Sequence, residues 1–127
     1  MKLSNKLTLI TSAVIMILIS GCSSQPKPLY NYEDYSDSYY HYKKNAGEQS
    51  ALEYKQNLEK AIENAGDSSS GRVAPGLYAD LGYIYLKSGN NQKAIEYFTK
   101  EKTIYPESAH FMDRMIQKIH AQEGDKK

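Results

Sequence analysis

Between residues 78 and 106, small and bulky side chains recur at intervals that suit a tight pair of helices: Tyr78-x₂-Leu81-Gly82-x₂-Tyr85, then Ala94-x₃-Phe98, then Pro106. Steps of three and four residues put side chains on one face of a helix. Gly82 and Ala94 lack bulk, so two helices can approach there, while Tyr78, Leu81, Tyr85 and Phe98 fill the groove around them. Ser88-Gly89-Asn90 ends the first helix as a glycine cap does, and Pro106 ends the second. The chain must therefore form a helical hairpin over about 75–105.

Residues 75 to 108 resemble one tetratricopeptide repeat, with Tyr78 where that family usually has Trp. The small residue normally found three positions after the Phe is Glu101 here. Packing against the next helix is thus expected to differ, or the carboxylate to escape to solvent. One such repeat cannot bury its own apolar face and needs stacked neighbours. Three more helices can supply them. Tyr32, Tyr35, Tyr39 and Tyr42 mark one face over 30–42. Ala51, Leu58, Ala61, Ile62 and Ala65, with Tyr54 close by, mark a second over 49–65. Met112, Met115, Ile116 and Ile119, preceded by Phe111, mark a capping helix over 107–121. The tyrosine stripe reads as core ahead of a headgroup belt, which leaves Tyr30 and Tyr40 to face lipid or a partner. Gly66 to Gly71 reads as a flexible, solvent-facing loop, and no stretch alternates as a strand does. The expected fold is all-α: two hairpins and a capping helix spanning 30–121, followed by a charged tail over 122–127.

Before this domain, Lys2 and Lys6 form a basic n-region and Leu7 to Ile19 a short apolar run, the layout of a signal peptide. A spanning helix needs about 20 apolar residues, and this run is shorter and interrupted by Thr8, Thr11 and Ser12. Ile19-Ser20-Gly21-Cys22 resembles the bacterial lipobox, which implies cleavage between Gly21 and Cys22 and acylation, palmitate included, of the Cys22 thiol. Ser23 is not the Asp that commonly retains such lipoproteins at the inner membrane, so the resemblance implies the periplasmic face of the outer membrane. Residues 22–29, with Pro26 and Pro28, read as an extended tether.

Removing 21 of the 127 residues leaves 106, enough for one domain. Lys2 and Lys6 leave with it, so 14 of the 16 basic side chains face 15 acidic ones. That balance offers no electrostatic footprint for nucleic acid. Cys22 is the single cysteine, so no disulfide closes the domain and helix packing alone must hold it. His41, His110 and His120 form neither a metal-ligand set nor a nucleophile with its base, and Gly66 to Gly71 lacks the Lys-Ser/Thr of a phosphate loop. No enzyme, metal or cofactor is expected.

More narrowly, Pro75-Gly76-Leu77 with Leu81-Gly82-Tyr83-Ile84-Tyr85-Leu86-Lys87, and Tyr105-Pro106-Glu107-Ser108 with Phe111-Met112-Asp113-Arg114, are similar to a family of uncharacterised proteobacterial lipoproteins. Its members typically accompany a lipoprotein similar to the curli secretion channel CsgG, which implies an envelope partner. The preferred reading is an adaptor whose inner face, at Ala79, Tyr83 and Leu86, binds another envelope protein; the competing role for Tyr83 is to cover the neighbouring helix. The alternative is a structural scaffold or peptidoglycan-synthesis accessory with no dedicated groove.

Overall fold

A computed structural model of the chain describes residues 26–124. Five α-helices and no strand occur among them: α1 Tyr35–Asn45, α2 Glu48–Glu63, α3 Leu77–Lys87, α4 Asn91–Ile104 and α5 Ala109–Gly124. Short 3₁₀ turns at Asn64–Asp67 and Pro106–Ser108 follow α2 and precede α5. The extensive helix contacts all join sequence neighbours, α1 to α2 and so on to α5. The expected all-α class is the observed one.

Each helix begins and ends where its local chemistry requires. The Ser50 hydroxyl accepts from the Gly47 amide at 3.2 Å and donates to the Gly47 carbonyl at 2.9 Å, fixing the start of α2. The Asn90 side chain accepts from the Lys93 amide at 3.1 Å and caps α4. At the end of α3, Gly89 adopts a left-handed φ of 80°, which lets the Asn90 amide reach back to the Tyr85 carbonyl at 2.9 Å.

The core runs through all of these helices except α1, whose tyrosines Tyr35 and Tyr42 pack against it from outside. Tyr54, Leu58 and Ala61 form the inward seam of α2, continued by Ala65 of the following 3₁₀ turn, and Leu77, Leu81, Ile84 and Tyr85 that of α3. Ala94 and Phe98 come from α4, Met112 and Ile119 from α5. Burying a side chain of Leu, Phe or Met size contributes about 1.5–3 kcal/mol, so these residues carry most of the favourable term. Gly82 sits where the α3–α4 hairpin is tightest. A Cβ built there would lie 2.8 Å from Cδ1 and Cε1 of Phe98 and 3.3 Å from the Ala94 carbonyl oxygen.

Glu101 does not escape to solvent. It is 3 % exposed, on the seam that Ala94 and Phe98 begin. Its Oε1 instead accepts from the Gly76 amide at 2.8 Å, immediately before α3. The Gly76 φ of 89° needs glycine, and its amide is one of the donors a helix start leaves unpaired. The carboxylate thus caps the partner helix of its own hairpin from 25 residues away. Its Oε2 is buried without a hydrogen bond among the described residues.

Six other details differ from the sequence reading. Helix α1 starts at Tyr35, so Tyr32 lies in the preceding turn and is exposed. Tyr30 packs against the core instead of facing outward, whereas Tyr40 is 59 % exposed. Phe111, grouped with the apolar face of α5, is exposed as well. The 66–71 loop is ordered by the Ser68 hydroxyl donating to the Ala65 carbonyl at 2.7 Å, and by Ser69 and Ser70 amides donating to the Pro28 and Leu29 carbonyls. Pro28 and Leu29 of the expected tether are therefore tied to the domain, and α5 runs to Gly124, into the expected tail.

Gly82→Ala should gain about 1 kcal/mol of helix propensity but lose about 1–3 kcal/mol to overpacking against the Phe98 ring. The melting temperature by circular dichroism should fall by roughly 5–10 °C. Gly66→Ala, whose Cβ would meet nothing within 4 Å, should leave it in place.

Burial pushes the Glu101 carboxyl up from its ordinary value, and the Gly76, Ala79 and Tyr78 amides only partly offset that. A raised folded pKa contributes stability that is complete below the unfolded value, about 4.3, and is lost as pH rises through the folded one. Glu101→Gln keeps the Oε1 acceptor and removes the titration. Its stability relative to the parent, from urea denaturation, should improve as pH rises from about 4 to 7. A difference that stays flat across that range would contradict this account.

Candidate functional site

Ala79 and Tyr83 lie one turn apart on α3 and open onto a groove of about 380 Å³ against α5, with Phe98 and Met112 at its base and Phe111, Met115 and Lys118 along its far side. Tyr83 also borders a second groove, of about 480 Å³, on the side of α1 and α2, with Tyr42, Lys43, Ala51 and Lys87. Its ring, 40 % exposed, stands between the two, and Phe111 is 60 % exposed. Leu86 is not brought to this surface; it packs against the core. The sequence reading missed Phe111, because the 3.6-residue period gives it nearly the same bearing as Met115, and only the position of α3 decides which of the two is covered.

A cluster of hydroxyls and one carboxylate fixes the height of this surface. Asp80 Oδ2 accepts from the Tyr35 hydroxyl of α1 and from the Tyr54 hydroxyl of α2, each at 2.8 Å. Three helices thus converge on one oxygen three residues before Tyr83. Tyr54 is 2 % exposed, and the rings of Tyr35, Tyr39 and Tyr42 lie 5.4–5.8 Å from its own. Burial pushes the Tyr35 hydroxyl up to about 12, despite the opposing Tyr54 hydrogen bond, and the Asp80 charge adds to the rise. Burial first, then the Tyr35 hydroxyl and Asp80, raise Tyr54 as well. Both phenols therefore remain protonated donors at any physiological pH.

On the opposite flank of α3, Tyr85 stacks on Tyr97 at 5.5 Å and Tyr97 on Tyr78 at 6.0 Å. Lys55 and Lys93 lie over the Tyr85 ring at 4.8 and 4.9 Å, and Lys100 over Tyr97 at 4.7 Å. Such cation–π contacts contribute about 0.5–1 kcal/mol each when exposed. The motif residues Tyr78, Leu81, Gly82, Tyr85, Ala94 and Phe98 all meet within the α3–α4 hairpin, and Pro106 opens the 3₁₀ turn before α5. Their work is packing. Among the described residues no group of His, Cys, Asp and Glu could hold a metal ion, and no helix is long and apolar enough to cross a membrane. The expected lipidation site Cys22, its cleavage partner Gly21 and the signal segment 1–21 lie outside the described residues.

Compared with known families, residues 29–115 match one described as a domain of unknown function, DUF4810. No curated protein and no solved structure matches the chain.

Asp80→Ala should leave two hydroxyls without their acceptor, one of them fully buried. Hydrogen bonds to a charged group contribute about 1.5–3 kcal/mol each, so urea denaturation should give a loss of about 3–6 kcal/mol. In a double-mutant cycle with Tyr54→Phe the two losses should be strongly non-additive; simple additivity would mean that the bond carries no stability.

Proposed function

The chain belongs to the DUF4810 family, and for this member of it we propose a lipid-anchored envelope adaptor that grips another envelope protein through the Tyr83 surface. In this reading α1 to α5 are two tetratricopeptide-like hairpins and a capping helix. Packing confined to sequence neighbours is what stacked helical repeats require and supports it. The observation that carries the proposal is the pair of aromatic side chains, Tyr83 and Phe111, left exposed on either side of a groove with an apolar base. Single exposed apolar residues are ordinary, whereas a contiguous aromatic patch marks an interaction site.

The anchor follows from the Ile19-Ser20-Gly21-Cys22 resemblance, and acyl chains on Cys22 would hold the domain at the periplasmic face of the outer membrane. With Pro28 and Leu29 tied to the 66–71 loop, only residues 23–27 remain to separate the domain from the lipid. At about 3.3–3.6 Å per residue they span less than roughly 20 Å, so the partner must also lie at the membrane surface. A lipoprotein similar to the curli secretion channel CsgG meets that condition and is the partner we propose.

In-membrane crosslinking of the full chain tests both halves. Truncating a central aromatic typically costs 2 kcal/mol or more, so Tyr83→Ala should reduce partner capture by roughly thirtyfold while its circular dichroism stays helical. Cys22→Ser should abolish palmitate incorporation and release the protein from membranes. Capture unchanged in Tyr83→Ala would refute the adaptor, and membrane retention of Cys22→Ser would refute the anchor.

A further inference from the structure

The charges around the Tyr83 grooves carry the adaptor reading a step further. Lys43 of α1 and Lys87 of α3 border the groove toward α2, and Lys118 of α5 borders the other. All three are exposed, and none is in a salt bridge among the described residues. Elsewhere on the same domain Lys55, Lys60, Lys100 and Lys102 are matched to Glu59, Glu33, Glu96 and Asp113, whereas Lys44 and Lys93 are in no salt bridge among the described residues. Two carboxylates lie on the groove walls, and only Asp80 is hydrogen-bonded among the described residues. Asp80 accepts from two tyrosine hydroxyls, and Glu48 stands in the first turn of α2, where the helix dipole favours negative charge. The surface therefore presents an aromatic centre rimmed by three lysines and one free carboxylate, a net positive charge, with Lys43 also lying over the Tyr39 and Tyr42 rings.

We infer that the occupant of this surface is an acidic peptide segment of the partner, whose bulky apolar side chains enter the two grooves beside Tyr83 while its carboxylates meet Lys43, Lys87 and Lys118. A polysaccharide would match the lysines but not a groove based on Phe98 and Met112. The inference rests on the adaptor reading, and it can fail alone.

Short random peptides displayed on phage and selected against the immobilised full chain provide the test. Net-negative sequences bearing aromatic or large aliphatic residues should be enriched. Raising the salt from about 0.05 to 0.5 M, which shortens the Debye length several-fold, should weaken the best of them roughly tenfold. A chain carrying Lys43→Glu, Lys87→Glu and Lys118→Glu, three changes at exposed positions, should select net-positive sequences instead. Tyr83→Ala with Phe111→Ala should lose the enrichment with the helical spectrum retained. Enrichment of neutral or basic sequences by the parent, no enrichment, or acidic enrichment that survives loss of both aromatic rings would overturn the inference. Should Tyr83→Ala still abolish crosslinking to the envelope partner, the adaptor would stand and only the acidic character of its ligand would fall.

Discussion

The approach of α3 to α4 at Gly82 sets the geometry of everything around it. With the Phe98 ring occupying the space a Cβ would need, the hairpin can close in one register only, since a shift along the helix would drive Leu81 or Tyr83 into the ring. That register turns Leu81 and Tyr85 into the core and leaves Ala79 and Tyr83 on the adjoining face. It also brings Glu101, one turn beyond Phe98, level with the start of α3. A missing side chain therefore determines where several others point.

Two carboxylates of this hairpin, Asp80 and Glu101, are handled in opposite ways. Asp80 receives two hydroxyl hydrogen bonds to one oxygen, and its donors come from both helices of the first hairpin, so it binds that hairpin to the second. Glu101 receives one backbone hydrogen bond and leaves its other oxygen bare in the interior. An unsatisfied buried group costs about 1–3 kcal/mol, which the cap on α3 and the burial of neighbouring Phe98 must offset. Replacing Glu101 by a small apolar residue would remove that cost but also free the Gly76 amide. The arrangement trades some stability for a defined start to α3, and with it a defined position for Tyr83.

The parts of the fold carried by helical period were legible in the sequence. Gly82, Ala94 and Phe98 announce close packing because the chemistry that needs them lies within one hairpin. Contacts between residues far apart in sequence were not legible. Glu101 reads as a misplaced polar residue in an apolar seam until the Gly76 amide is found beside it. Tyr54 reads as peripheral to its helix, yet it is the hub of the tyrosine cluster, because its ring is surrounded by α1 and its hydroxyl is answered by α3. The sequence puts the start of α1 five residues early since Tyr32 continues the spacing of the stripe; Glu33, at a φ of 45°, breaks the helix there, and no pattern of side chains announces a backbone angle.

Tyr83 and Phe111 raise a different issue, since fully burying a side chain of this size would contribute about 1.5–3 kcal/mol that the isolated domain forgoes. The neighbouring helices have no lack of large apolar side chains; Phe98, Met112 and Ile119 are buried within reach of the same surface. Nor are the two rings held loosely. The backbone beneath Tyr83 is fixed from one side by the Phe98 ring at Gly82 and from the other by Asp80, which α1 and α2 both hold. A rigid mount reduces the ordering cost that a partner would meet on binding an aromatic side chain. Rigidity beneath and exposure above serve association and do nothing for the free domain's stability, and that asymmetry favours a binding surface over a bare structural face.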